Sequence, residues 1–303
     1  MAVRLPAAAA ALVCVVGLAA CTGDTGRAAG LRVVASTTQV ADLVREVGGP
    51  RVDMHQILRP NSDPHDYEPR PSDAEQIARA KLVFQSGGEL DQWLGGVISD
   101  AGGRARVVRL TDSVRTIGRD PHWWEDPRDT ELAVSAISRA LTAADPRGRL
   151  LYERRTRAYE ARLRRLDRGI AACMAKVPEA RRKLVTTHDA FAYFARRYRV
   201  AIVGALIPSL SSEAQPSARD TERLVRQVRR EGVKAIFPES ALNPKLERAV
   251  SRETGARVGG TLWADSLGPR GSSGATYLTA MASNTETMVD GMTGGAIACR
   301  PRP

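Results

Sequence analysis

Apolar and polar positions along this chain follow two alternating periods. Short apolar runs at residues 31–35, 52–58, 82–85 and 106–110 have strand length, and the segments between them carry apolar residues at helical spacing. The pattern predicts a helix over 37–47, stopped by Gly48-Gly49-Pro50, and a second starting at the capping box Ser72-Asp73-Ala74-Glu75. It predicts a third from Pro127 to about residue 143, with Asp126 as its N-cap. From 146 to 177 the spacing changes. Tyr152, Tyr159, Leu163, Leu166, Ile170, Met174 and Val177 fall on one face of a single helix, about 45–50 Å long at 1.5 Å per residue. Strand-length runs then resume at 184–187, 199–205, 233–237 and 256–261, with helices expected over 189–197, 217–231, 243–254 and 275–292. Strand alternating with helix on both sides of one long helix predicts an α/β protein. Two doubly wound (β/α) lobes, 31–145 and 179–303, are bridged by a rigid linking helix at 146–178, and a ligand site is expected in the interlobe cleft.

The N-terminus changes the picture. Arg4 precedes an apolar stretch over 5–20, of signal-peptide length and short for a membrane span, ending in Leu18-Ala19-Ala20-Cys21. That ending resembles the bacterial lipobox, so residues 1–20 are expected to be removed and Cys21 to carry lipid. Residues 21–30 then form a small, polar tether. The remainder is expected outside the cytoplasm, anchored to the outer face of the cytoplasmic membrane or in the periplasm. The formal charge of +11 invites a nucleic-acid partner, but acidic residues interleave the basic ones, and the compartment argues against it. Only five of the 45 basic residues are lysine, a bias of genome composition more than of binding. Cys173 and Cys299 remain once Cys14 and Cys21 are set aside, and they form either a disulfide or two buried thiols.

The chain has four histidines, and three of them, His65, His122 and His188, fall at strand-to-helix junctions, where an α/β sheet opens its ligand crevice. The first two share the sequence Asp-Pro-His. Neutral imidazole is the commonest protein metal ligand, and three imidazoles with one carboxylate satisfy a closed four-coordinate zinc site. Asp265, after the last strand, is the candidate fourth ligand. Glu239, after the run ending at Phe237, is the rival or an outer partner. His55 lies mid-strand and reads as structural, and Trp123 and Trp124 read as walls of the site.

Four ordered motifs carry a family resemblance. They are Asp63-Pro64-His65-Asp66-Tyr67-Glu68-Pro69, Asp120-Pro121-His122-Trp123-Trp124-Glu125-Asp126-Pro127, Thr187-His188-Asp189-Ala190-Phe191, and Ala264-Asp265-Ser266-Leu267-Gly268. With Tyr277 through Asn284, the chain from about 31 to 292 resembles the zinc/manganese substrate-binding lipoproteins of bacterial ABC transporters, solute-binding protein family 9. The resemblance implies a metal held between two lobes, delivered by a monomeric carrier to a membrane ABC permease. It also implies that a histidine at the third ligand position, His188 here, favours Zn2+ over Mn2+, in line with imidazole suiting zinc and added carboxylate suiting manganese. The His/Asp-rich loop of many zinc members is missing, because residues 66–121 contain no histidine. A secreted zinc hydrolase is the first competitor, but it needs an open metal position and no His-Glu-x-x-His pair is present. A surface adhesin with a structural metal is the second, and a manganese or iron(II) carrier of the same transporter class the third.

Overall fold

The computed structural model describes residues 1–2 and 30–302, so the signal sequence and Cys21 lie outside the described residues. Four parallel strands, β1 (Leu31–Ala35), β2 (Val52–Gln56), β3 (Leu82–Gln85) and β4 (Arg106–Arg109), form a sheet in the order β2-β1-β3-β4. Helix α1 (Thr38–Gly48) follows β1, and the Thr37 hydroxyl accepts the Val40 N–H at its start. Helix α2 (Pro71–Arg79) begins one residue earlier than the predicted capping box. The Asp73 carboxylate, not Ser72, closes that end, by accepting the Arg70 N–H at 2.8 Å. A short helix α3 (Leu94–Asp100) was not predicted, because Gly95-Gly96 reads as a loop and only packing overrides it. Helix α4 (Pro127–Ala144) starts on the Asp126 N-cap as expected.

A 3-10 turn over Pro146–Gly148 leads into α5 (Arg149–Lys176), so the linking helix is shorter than predicted. Its 28 residues correspond to about 42 Å. The predicted apolar face is buried throughout, and the helix packs on α1 and α4 on one side and on α6 (Ala192–Tyr198) and α9 (Tyr277–Thr293) on the other. One continuous core therefore runs from β1 and β3 through α5 into the second half, which makes the bridge stiff rather than a hinged tether.

The second half repeats the strand order of the first. β5 (Lys183–His188) pairs in parallel with β6 (Ala201–Ile207), and β7 (Ala235–Ile236) with β8 (Arg257–Val258). A parallel bridge between Thr186 and Phe237, with the Phe237 N–H donating to Val185 O, joins the pairs in the order β6-β5-β7-β8. Helices α7 (Ala218–Glu231) and α8 (Lys245–Thr254) follow β6 and β7, and each ends on a left-handed glycine, Gly232 and Gly255. Several predictions shift here: β6 lies two residues later than the expected 199–205, and α8 starts at Lys245 rather than 243. β7 and β8 are two residues each, shorter than the predicted runs. Helix α6 starts at Ala192 rather than Asp189, because a turn closed by the Ala190 N–H on His188 O intervenes.

Candidate metal centre

Each predicted ligand sits at the end of a strand or in the connection that follows one. His65 lies on the loop between β2 and α2, His122 between β4 and α4, His188 at the last residue of β5, and Asp265 between β8 and α9. The two Asp-Pro-His motifs fold alike: Asp63 and Asp120 each accept the backbone N–H of the histidine two residues on, at 2.9 Å. The Asp265 loop is fixed from both sides. Ala264 O accepts from Gln39 Nε2 and Trp124 Nε1, the Leu267 N–H donates to the Thr38 hydroxyl, and the Asn284 amide clasps both backbone groups of Trp263.

These loops bring His65, His122, His188 and Asp265 together, with one ligand atom from each lying within 4.8 Å of all the others. Asp265 Oδ2 is 3.4 Å from His65 Nε2 and 3.1 Å from His188 Nε2, and Oδ1 is 3.3 Å from His122 Nε2. The two ring nitrogens of His122 and His188 are 3.3 Å apart. A tetrahedron of ligands 2.0–2.1 Å from a zinc ion has edges of about 3.3–3.4 Å; the His122–His188 separation matches such an edge, and the 4.8 Å limit on the whole set leaves room for one small cation among the four. His65 Nε2 and Asp265 Oδ1 are buried without a hydrogen-bond partner, a cost that a cation at the centre removes.

Glu239 falls outside the four. Its Oε2 meets His188 Nδ1 at 2.7 Å and its Oε1 accepts the His188 N–H at 3.0 Å, which makes it the orienting partner of that imidazole. Asp120 plays the same part for His122, with Oδ1 at 2.7 Å from Nδ1. Sequence reasoning missed this role for Asp120, although its place two residues before the histidine was a usable signal. Trp124 stands edge-on to the His122 ring at 5.4 Å, and both tryptophans are buried as walls. His55 stays in β2, away from the cluster.

Burial and the neighbouring carboxylates act in opposite directions on the imidazoles of the metal-free site. For His122 burial alone depresses the imidazole, but the Asp265 charge and the Asp120 hydrogen bond outweigh it and hold the group above its ordinary value. His188 is held well above, because Glu239 and Asp265 together overcome burial. Burial of Asp265 alone would raise its carboxyl, but His188 and His122 beside it hold it well below the usual range. Glu125 is a further buried acid that sequence reasoning passed over. Both its oxygens lack partners, and burial, reinforced by Asp265, Glu239 and Asp120, pushes its carboxyl well up.

Residues 33–291 match the family described as ZnuA, zinc-uptake complex component A, periplasmic. The chain belongs to this family. As a ZnuA-family protein it is a substrate-binding component of a metal ABC transporter, a binding protein rather than an enzyme. The metal ABC transporter substrate-binding lipoprotein SloC of Streptococcus mutans is 28% identical over 298 residues, spanning 93% of this chain and 97% of that protein. The manganese-binding lipoprotein MntA of Halalkalibacterium halodurans is 28% identical, spanning 89% and 91%. Among solved structures, the periplasmic zinc binding protein TroA from Treponema pallidum superposes with a TM-score of 0.80 at 28% identity, covering 86% of this chain and 98% of that one. Two lobes of this ZnuA-family fold therefore frame the cluster.

Proposed function

We propose that this protein captures Zn2+ outside the cytoplasm and delivers it to its membrane ABC permease, with His65, His122, His188 and Asp265 as the ligands. The observation that carries the reading is the donor set: three imidazoles and one carboxylate gathered within 4.8 Å of one another, two of the imidazoles braced by carboxylates. Nitrogen-rich donors suit zinc, whereas manganese favours more oxygen. Three neutral imidazoles and one carboxylate leave a zinc complex near +1, and Glu239 and Asp120 behind the imidazoles offset that charge. The lobe boundaries and a monomeric state belong to the same proposal, as does lipid attachment at Cys21, which relatives named as lipoproteins support. Among the described residues no helix is long and apolar enough to cross a membrane.

A manganese cargo is the second reading, favoured by relatives whose names carry that metal. Elemental analysis of the mature protein after equilibration with equal free zinc and manganese separates the two. The zinc reading predicts one zinc per chain with manganese near background, and preferential retention of manganese would sink it.

A further inference from the structure

Among the three imidazoles of the cluster, those of His122 and His188 are fully buried and that of His65 is the least so. Beside His65 the structure holds a cavity of about 270 Å³ between the two halves of the chain, lined among others by Glu89 and Gln92 from the loop after β3 and by Ser211 and Glu213 from the loop after β6. The His65 ring is only 4% exposed, and its Nε2 has no hydrogen-bond partner. At the rim, the Ser212 hydroxyl donates to Asp63 at 2.5 Å, and the same Asp63 holds the His65 N–H. The cavity wall and the first Asp-Pro-His motif are thus one unit. The rim charges do not match the chain as a whole. Glu89 and Glu213 are exposed acids on a protein of formal charge +11, and Arg119 pairs with Glu89.

We propose that this cavity is the inlet by which a hydrated divalent cation reaches the cluster, with Glu89 and Glu213 drawing it in, Arg119 opposing them, and His65 the first imidazole it meets. A positively charged protein repels a dication at long range, so a local negative mouth is needed to focus the approach. Each water of the ion's shell takes about 30 Å³, and the cavity admits several. The Gln92 amide and the Ser211 hydroxyl line it as neutral oxygen donors that can replace waters one at a time. None of the rim residues is a ligand. They act mainly on the rate of arrival, and shift the equilibrium by no more than that factor.

The inference rests on the metal-site reading above, and the test keeps the two apart. Stopped-flow capture of zinc from a weak chelator at low ionic strength gives the association rate, and competition with a strong chelator gives the dissociation constant. We expect Glu213→Gln to slow association about two- to fivefold. Glu89→Gln, which also frees Arg119, should slow it at least as much, and Arg119→Gln should speed it. Dissociation constants should weaken by no more than the factor by which association slows, and the rate differences should collapse at 0.5 M salt, where the screening length is about 4 Å. Unchanged rates in all three variants, or an Arg119→Gln effect of the same sign as Glu213→Gln, would overturn the inlet. A changed dissociation constant with unchanged association would also overturn it. Failure of the metal-site reading looks different: His65→Ala would then keep the parent's stoichiometry and affinity.

Discussion

Replacing Glu239 with glutamine removes one charge from behind His188 while keeping its shape. In the parent, one oxygen of Glu239 meets His188 Nδ1 at 2.7 Å and the other accepts the His188 N–H at 3.0 Å. Glutamine has one acceptor and one donor. Whichever way it turns, its NH2 faces either the backbone N–H or the Nδ1–H, so one of the two bonds becomes a donor–donor contact in a buried place. Loss of such an orienting partner costs about 10–100-fold in metal affinity, or about 1.4–2.8 kcal/mol. The pH dependence adds a second signature. Glu239 also helps hold the metal-free His188 above its ordinary pKa, so in the parent a bound proton competes with the metal up to a higher pH than in the variant. The affinity gap is therefore widest near pH 8 and narrows toward pH 5.5. Competitive chelator titrations at several pH values measure it. Equal affinities at pH 8, or a gap that widens as pH falls, would refute the assigned role.

Zinc should raise the stability of this protein without being needed for its fold, because the core running through α5 is complete without the site. At free zinc 100 times the dissociation constant the gain is about 2.7 kcal/mol; loss of cooperative thermal unfolding after chelation would contradict this. Burial pushes the Asp42 carboxyl up to about 6, against the hydrogen bond it accepts from the Tyr277 N–H. Since the folded pKa exceeds the unfolded one, the stability from its bound proton is present at low pH and fades between about pH 4 and 6. Its total is about 3 kcal/mol, of which about 1–1.5 lies above pH 5. Asp42→Asn should accordingly gain on the parent in denaturant titrations as pH rises from 5 to 7.5, and a constant difference between the two would count against it. Cys173 and Cys299 are joined in the structure across 126 residues. Replacing both with serine should cost about 2–4 kcal/mol, read as a lower denaturant midpoint with zinc stoichiometry retained.

Much of this architecture was legible because single residues carry strong local signals. Asp126-Pro127 marks the start of α4, Gly232 marks the end of α7, and the apolar face from Tyr152 to Met174 is the buried face of α5. The cluster was legible because histidine is scarce and each of three copies follows a strand. Less legible was whatever depends on contacts distant in sequence. Glu239 lies 51 positions from His188, and only the fold shows that its carboxylate braces the ring rather than joining the cluster. Cys173 lies on α5 and Cys299 beyond α9, so nothing local distinguished a disulfide from two thiols. Glu125, inside a motif noted for its histidine and tryptophans, gives no periodic sign that it is buried without a partner. Helix α3 hid behind two glycines, and α6 began late because a turn after His188 comes first.

X-ray absorption at the zinc edge, on protein loaded with one equivalent of zinc, tests the central claim most directly. The account predicts one four-coordinate zinc with three imidazole nitrogens and one carboxylate oxygen, all at about 2.0–2.2 Å. It also predicts that Asp265→Ala loses the carboxylate oxygen from that shell. A five- or six-coordinate shell dominated by oxygen, or a spectrum unchanged by Asp265→Ala, would contradict it.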